Sequence, residues 1–162
     1  MKYAKQIISA VLLCLVFSTA LCGADYMYWS SNFPAINVAA HITQLSTIVT
    51  GSSTATIYLN VDAEITADNG GAAQLTSGSC NLFTEYKLSF DGNGSGDTGG
   101  PAVADWASYN TFLNTPAAIT FVSDDNDVDV TLEVRASNFP GQLADAGTYT
   151  ATQTLTVSWT GP

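Results

Sequence analysis

Two residues carry most of the nucleophilic and soft metal-binding potential of this 162-residue chain. They are His41, its only histidine, and Cys80, the one cysteine beyond position 24. Acyl transfer of the Ser-His-Asp kind needs a serine on a strained turn with a histidine beside it. No G-x-S-x-G occurs, and Gly78-Ser79-Cys80 and Gly94-Ser95-Gly96 lack its framing. His41 falls among the polar positions of an alternating stretch and reads as a surface strand residue. One histidine and one cysteine do not make a structural zinc site, which wants four nitrogen or sulfur ligands. Oxygen donors are more plentiful. Asp91, Asn93, Ser95 and Asp97 alternate, with Gly96 at the sixth place. That spacing opens an EF-hand-like calcium loop, in which alternate side chains turn toward one ion. The twelfth position is Ala102 instead of a bidentate Glu, and no helices flank the run. The plainer reading is a hydrated Gly-rich hairpin loop, with calcium the one cofactor the spacing admits.

A second oxygen cluster, Asp124-Asp125-Asn126-Asp127 with Asp129, holds like charges that prefer water or a cation. It reads as a solvated turn. Glycoside hydrolysis needs a pair of carboxylates, one of them in an apolar pocket. Asp62 with Glu64, and Asp127 with Asp129 and Glu133, sit on polar faces of alternating segments, where ordinary ionised surface acids belong. The expectation is a protein without enzymatic activity. Tyr26, Tyr28, Trp29 and Trp106 either stack on sugars or close the ends of a β-sandwich.

The elements that must position these residues are strands. From Tyr149 the odd positions run Tyr, Ala, Gln, Leu, Val, Trp, and the even ones are Thr or Ser throughout. A period of two places one set on each face of a strand. Residues 54–66 repeat the pattern, with Ala55, Ile57, Leu59, Val61, Ala63 and Ile65 facing in and Tyr58 among the residues facing out. Ile36, Val38, Ala40 and Ile42 form one apolar face of a first strand. Gly51-Ser52-Ser53 reads as a turn after it, and Asp68-Asn69-Gly70-Gly71 as another. Tyr86, Leu88 and Phe90, then Ala117, Ile119 and Phe121, then Val128 to Ala136, supply further strands. Between Val103 and Leu113 the apolar residues recur at three or four, which predicts one short helix. Six or seven strands with one dry and one wet face predict an all-β, antiparallel sandwich with at most one short helix. Strands 54–66 and 148–160 are expected to be central, with Leu59, Val61, Leu155 and Val157 buried.

Lys2 and Lys5, the apolar run 7–17 and the small residues before Ala24 form the pattern of a secretory signal peptide spanning 1–24. An irregular leader, 25–35, and one domain, 36–162, follow. Beyond position 24 only Lys87 and Arg135 oppose fourteen acids, a net charge of about −12. Phosphate neutralisation needs many Lys and Arg, so nucleic acid is excluded as a partner and so is an anionic membrane surface. No membrane span is expected once the signal is removed. Cleavage after Ala24 leaves Cys80 alone, whereas cleavage after Ala20 keeps Cys22, which then has the option of bridging to Cys80.

Ala146-Gly147-Thr148-Tyr149, leading into Leu155-Thr156-Val157-Ser158-Trp159, resembles the A-G-x-Y ending and terminal strand of secreted pilin-like subunits. These are the chaperone–usher fimbrial subunits and the spore coat protein U-like domains. Ser79-Cys80 followed by Tyr86-Lys87-Leu88-Ser89-Phe90 is similar to the middle of the latter group. The paired cysteines usual in those families are missing, and the chain runs on past Trp159 by Thr-Gly-Pro. The resemblance implies an incomplete immunoglobulin-like sandwich of about seven strands, completed by an alternating N-terminal segment of the next subunit. Ile36, Val38, Ala40 and Ile42 match that donor segment. The implied protein is a secreted structural or adhesive subunit of a surface fibre or coat. It would reside in the periplasm, at the cell surface or in an extracellular fibre, with self-assembly or other surface proteins as partners. The alternative from another class is a monomeric carbohydrate-binding or adhesion module, stabilised by calcium if the Asp91 loop binds it.

Overall fold

The computed structural model describes residues 24–38, 47–91, 102–121 and 126–161. Alternation sets the architecture. β2 (Ile48–Leu59), β6 (Phe83–Phe90) and β9 (Asp127–Ser137) each bury every second side chain and present polar residues on the other face. With β1 (Met27–Trp29) and β7 (Ala102–Ser108) they form an antiparallel sheet in the order β1-β2-β9-β6-β7. β3 (Ala63–Ala67), β8 (Ala117–Ile119) and β10 (Leu155–Trp159) form a smaller antiparallel sheet in the order β10-β3-β8. A two-stranded hairpin, β4 (Thr76–Ser77) with β5 (Cys80–Asn81), turns at Gly78. Its φ of 61° is the left-handed conformation such a short turn needs.

The fold is all-β. Both sheets contribute to one apolar cluster, in which Ile57, Leu59, Ile65, Leu88, Val128 and Val130 are fully inaccessible. Burial of that order stabilises by about 1.5–3 kcal/mol per large side chain. Phe112, also fully inaccessible, packs against Tyr86, with ring centroids 5.6 Å apart. The Tyr86 hydroxyl donates to the Ala73 carbonyl (2.7 Å), and burial pushes its pKa up to about 12. Thr84, the polar exception on the inner face of β6, donates to the Leu82 carbonyl and accepts from the Leu75 amide, each at 3.0 Å. A buried hydroxyl is tolerated because both of its roles are used.

Four expectations change. Residues 54–66 are two strands in different sheets. The chain bends at Asn60–Asp62, with Val61 half-buried at the corner. The alternation runs through the corner unbroken because both inner faces look into the same core. Asn60 pins the bend by accepting the Tyr26 amide (2.7 Å), and Asp62 accepts the Phe121 amide (2.9 Å). The terminal strand is an edge, not a centre. β9 is central, and Leu155 and Val157 are only half-buried. Residues 150–154 continue that edge by bridging Thr76 and by bonding at Ala72 and Asp68.

Residues 103–113 hold no α-helix. They are β7 followed by turns, and the only helical element among the described residues is the 3-10 turn Gly71–Ala73. The register of β7 on β6 shifts twice, between Tyr86 and Leu88 and between Leu88 and Ser89. Each extra residue breaks the period of two, so a bulged edge strand mimics a spacing of three or four. Finally, Gly51-Ser52-Ser53 is not a turn. It lies inside β2, opposite Val134, Glu133 and Leu132.

Candidate functional site

A glycine inside a paired strand weakens it and commonly marks the close approach of another segment. Gly51 does so on the inner face of the large sheet. A Cβ there would lie 2.6 Å from Ile36 Cγ2 and 2.8 Å from Val38 Cγ2, distances real Cβ atoms do not show. The missing side chain is a notch, and two branched side chains fill it. Ile36 and Val38 of the leader thus cover this end of β2.

The route of the leader follows from its sequence. Met27, Tyr28 and Trp29 pair with Leu59, Tyr58 and Ile57, and the Ser30 amide donates to the Thr56 carbonyl (2.8 Å). From Asn32 to Val38 the chain belongs to no strand, so the first strand expected at Ile36 and Val38 is not formed over its described residues: they pack by side chains without joining a ladder. Trp29 turns inward, edge-on to Phe33 at 5.2 Å, and Phe33, Ile36 and Val38 pack against the core. Among the described residues, 31–38 make no backbone hydrogen bond, and their contacts with the rest of the fold are made by side chains. Of the expected assembly face, Ile36 and Val38 therefore act together on Gly51, within one chain. Ala40 and Ile42 lie outside the described residues, as does His41. Sequence reasoning singled out Ile36 and Val38 as part of an apolar face but did not connect them with Gly51, whose signal was a glycine between two stretches of unbroken strand alternation.

Of the proposed metal ligands only Asp91 is described; Asn93, Ser95 and Asp97 lie outside. Asp91 exchanges hydrogen bonds with Asp129. Its amide donates to the Asp129 carbonyl (3.1 Å), and its carboxylate accepts the Asp129 amide (3.0 Å). Burial, then the charges of Asp129 and Asp127, raise its pKa to about 6. No group of three potential metal ligands occurs among the described residues. Cys80 is half-exposed, and its thiol donates to the Asp145 carboxylate at 3.2 Å. That contact first, then burial, raises its pKa, which makes it a poor nucleophile. Residues 1–23, with Cys22, lie outside the described residues.

The four aromatic candidates separate. Trp29 belongs to the core side. Trp106 lies on the outer face of the large sheet under Arg135, whose guanidinium carbon is 4.5 Å from the ring centroid. Tyr26 and Tyr28 continue into Tyr58 as an outward row, with centroids 6.1 and 5.6 Å apart. Tyr58 was legible as an outward strand position but not as a member of that row. No helix among the described residues is long and apolar enough to cross a membrane. Compared with known proteins, the chain matches no family model, no curated protein and no solved structure.

Proposed function

We propose that this protein is a non-enzymatic, secreted structural subunit of a surface fibre or coat, an immunoglobulin-like sandwich in which residues 31–38 are the exchangeable part. The observation behind the reading is the Gly51 notch. It is a gap on the inner face of the large sheet, filled by side chains of a segment that no strand ladder holds. A segment seated in this way exchanges between copies at little loss, because each copy offers the same notch and the same Ile36 and Val38. Polymerisation then needs only that each leader fills its neighbour's gap, which is strand addition in its simplest form.

Disulfide trapping between chains tests this. A Cβ at position 51 would lie 4.0 Å from Val38 Cβ, inside the range a disulfide spans. Two full-length chains are mixed, one carrying Val38→Cys and the other Gly51→Cys. Both also carry Ile36→Ala, to clear the notch, and Cys80→Ser. Exchange predicts covalent heterodimers on a non-reducing gel. If a chain carrying both cysteines closes on itself while the mixture yields no heterodimer, the leader serves only its own domain. The protein is then better read as a monomeric secreted binding module.

A further inference from the structure

The β4–β5 hairpin and the loop that follows β9 enclose a cavity of about 280 Å³. Hydrogen bonds shape the loop wall. Asn138, buried just past the end of β9, accepts the Ala144 amide through its side-chain oxygen (2.9 Å). The Gln142 amide donates to the Phe139 carbonyl (3.0 Å), and the Tyr149 hydroxyl donates to the Asp145 carbonyl (2.8 Å). Between them Gly141 takes a φ of 77°, the left-handed conformation that glycine adopts without strain. The hairpin wall is tied as well, since Thr76 and Thr150 exchange two backbone hydrogen bonds of 3.0 Å. With both walls held, the cavity exists before any ligand arrives, which lowers the cost of binding.

Phe139 and Leu143 supply apolar surface to this cavity, and Ser79, Asn81, Gln142 and Asp145 supply polar groups. Phe139 is fixed edge-on to Phe83, with ring centroids 5.9 Å apart. Leu143, 59% exposed, is a large apolar side chain held in water. The Asp145 carboxylate accepts the Cys80 thiol through Oδ2 (3.2 Å), and the raised thiol pKa keeps that group a donor. One oxygen is thereby fixed, and the carboxylate has further acceptor capacity at the other. No Lys or Arg lines the cavity, so an anionic ligand would meet Asp145 and a chain charge of −10 with nothing to offset them. The Asn81 and Gln142 amides and the Ser79 hydroxyl each donate and accept, whereas Asp145 only accepts. That set matches neighbouring hydroxyl groups, which also do both. An ammonium only donates and would leave the amide donors unmatched. A pyranose ring carries such hydroxyls on its rim and an apolar C–H face between them. The volume falls just below the roughly 300–1,000 Å³ of pockets for drug-sized ligands, which suits one ring and not several.

We infer that this cavity is a binding site for one neutral sugar ring, with Asp145, Asn81 and Gln142 hydrogen-bonded to its hydroxyls and Phe139 and Leu143 against its C–H face. The site shares no residue with the Gly51 notch, so it stands whether or not the leader exchanges between copies.

The test is NMR titration of the full-length chain, read at the side-chain amide signals of Asn81 and Gln142. The probes are the methyl glycosides of glucose, galactose, mannose and N-acetylglucosamine, with butylammonium chloride as the cationic comparison. At least one glycoside should move both signals saturably at millimolar concentration, and butylammonium should not. Asp145→Ala should weaken that binding about tenfold, the loss of one hydrogen bond to a charged group. Gln142→Ala, at an exposed position, should weaken it about two- to tenfold, as for a neutral hydrogen bond. Glu64→Gln on the small sheet should leave it unchanged. Failure of all four glycosides to give a saturable shift would overturn the inference. Butylammonium binding as tightly as the best glycoside would make the cavity a cation site and overturn it too. So would full binding in both Asp145→Ala and Gln142→Ala, because the sugar would then sit elsewhere.

Discussion

The two halves of β2 are covered in different ways. The second half, Ala55 to Leu59, faces β3 and its neighbours, and Ile57 and Leu59 are wholly inaccessible. The first half, Ile48 to Ser53, keeps its pairing to β9 but has a glycine where a core side chain would stand, and it is roofed by Ile36 and Val38. One cover belongs to a hydrogen-bonded sheet and is continuous with the core. The other is two side chains on a segment with no ladder. Within one strand, the first kind of cover is continuous with the hydrogen-bonded core, and the second rests on the packing of two side chains, which is the feature the proposed exchange uses.

The largest effect expected from that contrast lies in the closed half. Ile57→Ala and Leu88→Ala each remove a fully buried side chain and should destabilise by about 2–5 kcal/mol in denaturant unfolding. Leu155→Ala, on the half-buried edge strand, should fall at or below the lower end of that range. If Leu155→Ala matched Ile57→Ala, the two sheets would share burial more evenly than this description holds.

In the open half, Gly51→Val fills the notch. Its Cβ would meet two methyl groups at 2.6 and 2.8 Å, so the leader must lift away. The expected loss is about 1–3 kcal/mol, as for an overpacked core site. Val38→Asp should act in the same direction by placing a charge in an apolar seat. Asn37→Asp, at an exposed neighbour, should be nearly silent. If residues 31–38 exchange between copies, Gly51→Val and Val38→Asp should each abolish assembly at concentrations where the parent chain assembles, as sedimentation velocity would show. A Gly51→Val protein with unchanged stability and assembly would dissolve the contrast between the halves.

What the sequence made legible follows the same division. Strict alternation needs only that one face be dry, so the all-β class, the inward sets of β2, β6 and β9, and the hydroxyl face of residues 150–160 could all be read. Which sheet a strand joins is not encoded in alternation, so residues 54–66 passed for one strand although the chain turns a corner at Asn60. Bulges add residues without changing composition, so β7 passed for a helix. Gly51 misled for a related reason. Glycine beside two serines has the composition of a turn, and only the approach of Ile36 and Val38 reveals why a strand carries it. The candidate site was therefore half legible, with Ile36 and Val38 visible in the pattern and Gly51 as their seat visible only in space.

A smaller effect separates the acidic end of the sheet from the rest of its outer face. Asp91 has its pKa raised from 3.8 to about 6, chiefly by burial and then by Asp129 and Asp127. A carboxyl that holds its proton more tightly when folded favours the folded state most at pH below 3.8, and that contribution disappears as the pH rises through about 6. At pH 7 the ionised Asp91 works against folding. Asp91→Asn keeps an oxygen to accept the Asp129 amide and removes the charge. The variant should melt higher than the parent at pH 7, and the difference should shrink to nothing near pH 4. An identical pH profile for the two proteins would mean that Asp91 titrates as an ordinary surface acid.

The smallest change expected is at Trp106. Arg135 binds Glu85 through two nitrogens and lies over Trp106, and both contacts depend on a planar guanidinium. Lysine keeps the charge and loses the fork and the stacking. The pair is only partly buried, with side-chain exposures of 30% for Arg135 and 16% for Glu85, so water already screens much of the attraction. Arg135→Lys should therefore reduce stability by no more than about 1 kcal/mol. It should lower Trp106 order more than stability, read as a shift in tryptophan fluorescence in a Trp29→Phe, Trp159→Phe background. If the fluorescence stays fixed while stability falls by several kcal/mol, Arg135 acts through the core and not through the ring beneath it.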